Sequence, residues 1–471
     1  MSWVHLPNIN YKISFKFLIL TFSFFASLFV FGQDSIDFLI KKHEIPESKL
    51  SIILEDNESG KRLIDINSNR SRSPGSVTKL FTAFAAIDLL GSQYQWKTEA
   101  YIDQKDNGKD SIDYLLIRGG GDPSFSINDL ESFILKIRAT GIREIRNGIH
   151  LDQSFFKQRK KSTGSFDQSP LRPYNTIHSS LIVNSNKLDL SFRFNSKTKE
   201  IVVMPSFLPK GVSIQNNLSI GSGDCKDFKS QVNFKERLEG KTIMILINGF
   251  YPGQCPNFDH DLAITETEHY FYGAFKKIWM DSGGTINGHY KRRKKSKMNA
   301  LIAHMDSEEL NSVLRLILKE SDNMASRNVF LSFAEKTNQT KLRNTRKAVY
   351  KSMKNNDVQW HNRNFIENGS GLSRKTRLRP ESVMGLLKKI DQETKFLGIK
   401  SMLPVSGIDG TLKNIYQSSL LQGQMRLKTG TLNGVRCLAG FITSSRGKNY
   451  RFVFMHNNFD EHEYDLRLFT T

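Results

Sequence analysis

The stretch from Ser76 to Leu90 constrains the fold of this chain more than any other. Leu80, Phe81, Ala83, Phe84, Ala85, Ala86, Ile87, Leu89 and Leu90 place apolar groups on nearly every side of a helix that Pro74-Gly75 opens and Gly91 stops. A helix that is apolar all round has no face for solvent, so it must be enclosed by the rest of a domain. With 471 residues, 38% of them hydrophobic, the chain has ample material for that cover, and a disordered or fibrous class is excluded.

The cover comes from both ends of the chain. A short amphipathic segment (Ile36, Phe38, Leu39, Ile40) precedes Leu50-Ser51-Ile52-Ile53-Leu54-Glu55, and Asn57-Glu58-Ser59-Gly60 turns the chain into Arg62 to Asn67, so a helix and a hairpin are predicted. At the far end, Met425 to Leu432, an Asn433-Gly434 turn, Val435 to Thr443, a second turn over Arg446-Gly447-Lys448-Asn449, and Tyr450 to Met455 read as an antiparallel meander. Between about Trp96 and about Tyr290 the texture changes to short strand-like runs broken by Gly, Asn, Asp and Pro, among them Leu115 to Arg118, Leu181 to Asn184 and Ile243 to Leu246. Lys291-Arg292-Arg293-Lys294-Lys295 marks the far edge of this region and reads as a solvated linker, after which Leu310, Val313, Leu314, Ile317 and Leu318 form a helical stripe. The expected architecture is an α/β (α+β) domain, an antiparallel sheet flanked by helices, built from residues 33–95 and 291–471. A mostly β insertion, residues 96–290, interrupts it and reads as two subdomains. No internal repeat is present.

The charge invites a nucleic-acid reading, with 68 Lys+Arg against 47 Asp+Glu giving +21. The first residues argue against it. Lys12 and Lys16 with no acid, an apolar run of 15 residues from Phe17 to Phe31, and short residues before Gln33 read as a secretory signal peptide over residues 1–32. The run is short of the roughly 20 residues that span a bilayer. Removing its two lysines still leaves +19 on an exported, periplasmic or cell-envelope chain, for which nucleic acid is not an expected partner. In an oxidising compartment Cys225 and Cys255, 30 residues apart, either pair or stay as two thiols, and Cys437 reads as a buried strand residue.

Ser76-Val77-Thr78-Lys79 places a hydroxyl and an amine three apart at the head of the enclosed helix, on one face and within reach of each other. Burial lowers the proton affinity of a lysine, which suits it to act as a base toward the serine. Ser321-Asp322-Asn323 falls in a tight turn between two helical runs, where a helix cap is the alternative reading. Lys428-Thr429-Gly430 lies on a strand whose pleat sends Lys428 and Gly430 to one face and Thr429 to the other. In this order the three form the signature of penicillin-binding proteins and class A β-lactamases.

The 245 residues from Ser76 to Ser321 leave room for a large insertion. With that spacing the chain resembles the D-alanyl-D-alanine carboxypeptidase/endopeptidase family, the class C low-molecular-mass penicillin-binding proteins. Leu116-Ile117-Arg118-Gly119-Gly120-Gly121-Asp122-Pro123, Pro173-Tyr174 through Asn184, Gly369 to Arg374, and Leu403 to Leu412 also look like this family. The resemblance implies a serine β-lactamase/penicillin-binding transpeptidase-like domain and a serine DD-peptidase. In it Ser76 attacks the carbonyl between two D-alanines and Lys79 takes its proton. Ser321 and Lys428 relay a proton to the leaving amine, Asn323 holds the peptide amide, and Thr429, with Lys428 in the Lys428-Thr429-Gly430 strand, fixes the terminal carboxylate. Backbone N–H groups of Ser76 and Thr431 form the oxyanion hole.

Peptidoglycan stem peptides are the implied substrate, β-lactams the implied covalent inhibitors, and no cofactor or metal is called for. Asp259-His260-Asp261 with Glu266, Glu268 and His269 is tempting as a metal cluster, but a solvated polar loop is the better reading. Two departures stand out. Gly75 occupies a position that is usually alanine, which should loosen the turn. Only 458–471 follow the last strand, so the closing helix is short and the cover of one sheet face is open. A β-lactamase and a non-catalytic cell-wall-binding module are the competing readings, and carboxypeptidase against endopeptidase balance stays open. The positive surface either contacts wall or membrane peripherally or merely solvates the protein.

Overall fold

The computed structural model describes residues 33–156, 163–226, 228–334 and 342–458. The expected signal peptide, 1–32, and nearly all of the C-terminal segment, 459–471, lie outside the described residues. Contacts divide the chain into two compact units. One holds Met1–Ile87, Leu314–Ser321 and Val349–Thr471; the other holds Asp88–Val313 and Asp322–Ala348. The second unit thus takes in 88–95, 291–313 and 322–348, which the sequence division assigns to the domain built from both ends.

The first unit is centred on a five-stranded sheet in the order Met425–Leu432, Val435–Thr443, Asn449–Asn457, Leu50–Asp56, Arg62–Ile66. Every pairing in it is antiparallel. Leu50–Asp56 pairs with the last strand of the chain, Leu50 opposite His456, which is how two segments far apart in sequence form one sheet. Both faces of this strand are buried, the polar Ser51 and Glu55 along with its apolar residues.

Alternation sorts those faces. Leu50, Ile52 and Leu54 join a hydrophobic cluster with Ile36, Leu412, Tyr416 and Leu421. The helix Gln33–Lys42 and the segment 412–421 therefore cover this face, while the closing helix expected after the last strand lies outside the described residues. Toward the other face, the helix Pro380–Gln392 packs on Leu50–Asp56 and Asn449–Asn457. There Glu55, opposite Arg451 in the ladder, lies 3.0 Å from its guanidinium, both nearly inaccessible. The helix contributes Lys388, 2.8 Å from Glu55, and Asp391, 3.3 Å from Arg451. The charges alternate in sign, so each buried ion has a partner and the helix is fixed in register on the sheet.

Helix Thr78–Leu90 is enclosed as its composition requires, with every residue from Thr78 to Ile87 buried. It is preceded by a 3-10 turn, Gly75–Val77, and Gly91 ends it at φ +89°.

The second unit contains a mixed five-stranded sheet in the order His289–Arg292, Gly148–Asp152, Leu115–Gly119, Lys97–Asp103, Asn299–Asp306, the first two pairings parallel and the last two antiparallel. Helices Ile127–Ala139 and Thr267–Asp281 and three smaller sheets share one hydrophobic cluster with it. Two readings of the sequence need correction. Lys291 and Arg292 are not linker but the end of an edge strand, where clustered cations discourage pairing with another chain. Leu181 to Val183 are buried yet not strand, and Gly119 shows why. A side chain there would start 2.0 Å from the Ser180 carbonyl, so the loop lies flat on the strand end. Cys225 and Cys255 form a disulfide with Cα atoms 5.2 Å apart, and Cys437 is a free, buried strand residue.

Candidate active site

The turn at Ser76 is built from glycines. Gly75 has φ +51°, a left-handed conformation that strains any residue with a Cβ, and a Cβ there would meet the Gly430 carbonyl carbon at 3.2 Å. This glycine fits a crowded turn and does not loosen it. Gly371, φ +82°, lies so close that a Cβ would fall 1.9 Å from the Gly75 oxygen, and one on Gly430 would lie 2.5 Å from the Pro74 oxygen and 3.1 Å from the Ser76 nitrogen. The three glycines let the backbones of 74–76, 369–371 and 430–431 meet, close to the Ser76 and Thr431 nitrogens.

Lys79 Nζ is 2.9 Å from Ser76 Oγ and donates to the Ser370 carbonyl at 2.7 Å. The lysine is fully buried, whereas Ser76 is half-buried. Thr82, one turn on, donates to the Gly369 carbonyl at 2.7 Å and anchors the same segment to the helix. The role of Gly369-Ser370-Gly371 was invisible as chemistry in the sequence, because its contribution is a backbone carbonyl; the paired glycines were the only signal.

Lys428 is fully buried on the strand Met425–Leu432, with Nζ lacking a hydrogen-bond partner among the described residues. Burial pushes its pKa down from 10.5 to about 7, and the carboxylate of Glu320, adjoining Ser321, opposes that shift. Thr429 is half-buried, with its hydroxyl 2.9 Å from that of Thr411, while Gly430 is buried and Thr431 exposed. Cys437, behind Gly430, donates through Sγ to the Ser73 carbonyl at 3.4 Å, and burial pushes its pKa far above the usual thiol range, so it is inert.

The Ser-Asp-Asn turn resolves into different jobs. Asp322 caps the helix Asn323–Ser332, accepting from Ala325 N at 2.8 Å, so the cap reading holds for the middle residue. Ser321 sits at φ +61°, an uncommon conformation for a residue with a Cβ. Half-buried Asn323 opens the helix and belongs to the second unit.

The acids and histidines of 259–269 go to structural tasks. Asp259 pairs with Arg193 at 3.1 Å, His260 stacks on Phe234, Glu268 meets Arg292 at 2.5 Å, and His269 contacts the Gly211 carbonyl. Among the described residues no group of three or more such side chains is arranged to hold a metal ion.

The family model for the D-Ala-D-Ala carboxypeptidase 3 (S13) family matches residues 33–467. This chain belongs to that family. The S13 chain is 24% identical to the D-alanyl-D-alanine carboxypeptidase DacB of Haemophilus influenzae, over 92% of this chain and 90% of that one. It is 21% identical to a D-alanyl-D-alanine carboxypeptidase of an Actinomadura species, over 88% and 79%. Among solved structures, penicillin binding protein 4 of Haemophilus influenzae superimposes with a TM-score of 0.75 at 23% identity, covering 92% of this chain and 94% of that one. At that identity the likeness speaks for the fold, a penicillin-binding, mixed α and β architecture.

Proposed function

We propose that this S13 chain is a serine D-Ala-D-Ala peptidase of peptidoglycan that works through an acyl-enzyme on Ser76. The observation that carries the reading is the contact of a fully buried Lys79 amine with the Ser76 hydroxyl at 2.9 Å, at the mouth of an otherwise apolar helix. Ser76 Oγ attacks the penultimate D-alanine carbonyl while Lys79 takes the proton. The oxyanion lies between the N–H groups of Ser76 and Thr431, each such donor typically worth about 10²–10³ in rate. Collapse of the tetrahedral adduct breaks the C–N bond, and Ser321 with Lys428 delivers a proton to the departing amine. Water then attacks the ester, regenerating Ser76 and releasing the shortened stem peptide. Asn323 holds the substrate amide, and Lys428 and Thr429 take its terminal carboxylate; a buried amine with no hydrogen-bond partner among the described residues is a donor that an arriving carboxylate would satisfy and hold protonated.

The same chemistry cleaves a D-Ala–meso-diaminopimelate cross-link, whose scissile carbonyl is the same, so the chain acts as carboxypeptidase and as endopeptidase. β-Lactams acylate Ser76 as covalent inhibitors; the related penicillin binding protein 4 has been solved with one bound. We place the enzyme outside the inner membrane on the strength of residues 1–32, and no described helix is long and apolar enough to cross a membrane. Mass analysis of digested peptidoglycan tests the assignment. Loss of terminal D-alanine and of cross-linked dimers is expected, both absent with Ser76→Ala; unchanged muropeptides with the wild-type protein would refute it. A β-lactamase would instead release hydrolysed penicillin in rapid turnover.

A further inference from the structure

The loop 405–411 has no part in the roles above, yet it is gripped from two sides. Lys319, 12% exposed at its side chain, donates through Nζ to the Leu403 carbonyl at 2.7 Å and to Asp409 Oδ2 at 2.5 Å. Asp409 Oδ1 in turn accepts from Val405 N at 2.8 Å. The backbone of Lys319 is engaged as well, since a Cβ on Gly410, φ +56°, would lie 2.6 Å from the Lys319 oxygen. The ammonium of Lys319 therefore holds the loop, and its main chain packs against Gly410. The residue after Gly410 is Thr411, whose Oγ1 is 2.9 Å from Thr429 Oγ1. Lys319 stands two residues before Ser321, so the loop joins the strained Ser321 turn to the Lys428-Thr429-Gly430 strand.

We propose that Thr411, held by the Lys319–Asp409 pair, is a positioning residue that orients the Thr429 hydroxyl toward the terminal carboxylate of the substrate. The inference rests on the DD-peptidase reading. A threonine hydroxyl is one donor and one acceptor, and unassisted it rotates to suit any neighbour. Either hydroxyl can be the donor of this bond; in the arrangement where Thr411 donates, the Thr429 proton is turned away from Thr411 and is available to a carboxylate. Two hydroxyls in series polarise one another, so the outer one becomes the better donor. The ion pair makes the arrangement durable, because a loop free to move would let Thr411 turn away to water.

The test is steady-state kinetics on a D-Ala-D-Ala peptide, alongside the second-order rate and final extent of penicillin acylation. For Thr411→Val we expect kcat/KM to fall about tenfold, mainly through KM, the size of one lost hydrogen bond in ground-state binding. The acylation rate constant should fall by the same factor while the final labelled fraction stays complete. Thr411→Ser should restore most of the loss, Asp409→Asn should move KM in the same direction, and Thr411→Val/Thr429→Val should be no worse than Thr429→Val alone. An unchanged KM in Thr411→Val, or losses that simply multiply in the double variant, would overturn the positioning role while leaving the DD-peptidase reading intact. A wild-type protein that takes up no penicillin would overturn that reading instead.

Discussion

Lys428 is the residue whose environment is hardest to explain by folding alone. Burying an ammonium without a partner is unfavourable, and a pKa pushed down to about 7 measures that cost. Between about pH 7 and the unfolded value of 10.5 the unfolded chain holds the extra proton, so stability rises with pH; the penalty is complete below 7 and gone above 10.5. Lys428→Met should therefore stabilise the fold by about 1–3 kcal/mol at pH 6 and by much less at pH 10, while abolishing peptidase activity. Urea denaturation at the two pH values checks this, and a variant less stable than wild type at pH 6 would contradict it. Both outcomes together would mark Lys428 as retained for binding and not for stability. The lysine was legible in the sequence because Lys-Thr-Gly is a side-chain pattern at fixed spacing. The Ser370 carbonyl was not, since a backbone acceptor 291 residues from Lys79 leaves no side-chain signature. Thr411 was readable only as part of a family-like run, and its partner emerges when the loop closes on the strand.

At the scale of elements, boundaries were clearest where turn chemistry is strict. Asn433-Gly434 fixed both flanking strands, Met425–Leu432 and Val435–Thr443, with ends where the alternation put them. Leu181 to Asn184 misled because a short apolar run looks alike in a strand and in a buried loop. The run Lys291 to Lys295 misled because its charges describe solvent exposure, which a linker and a sheet edge share. The buried alternation Lys388–Glu55–Arg451–Asp391 was also hidden, as it needs the register of two strands from opposite ends of the chain. Arg451→Met removes one cation from each carboxylate, while Glu55 keeps Lys388 at 2.8 Å and Asp391 keeps Lys400 at 2.8 Å, and should destabilise the fold by about 1–2 kcal/mol, read from chemical denaturation. A change below 0.5 kcal/mol would show that the network is not coupled to folding.

For the molecule as a whole, the ordered motifs and their spacing made the fold class legible, whereas the allotment of residues between the units was not. The strand Asn299–Asp306 pairs with Lys97–Asp103, a partnership across nearly two hundred residues that no local pattern encodes. The net charge of +21 invites a nucleic-acid reading; we propose instead loose attraction to a carboxylate-bearing wall, with plain solvation of the surface as the alternative. Such attraction is screened over about 10 Å at 0.1 M salt, so co-sedimentation with purified peptidoglycan should fall steeply between low and high salt. Retention that ignores salt would refute an electrostatic origin.

The central claim is that Ser76 is the nucleophile, and peptide mapping of the protein after reaction with benzylpenicillin tests it most directly. One penicilloyl adduct is expected per chain, on the peptide carrying Ser76, with none in Ser76→Ala. An adduct on another residue, or undiminished labelling of the alanine variant, would contradict it.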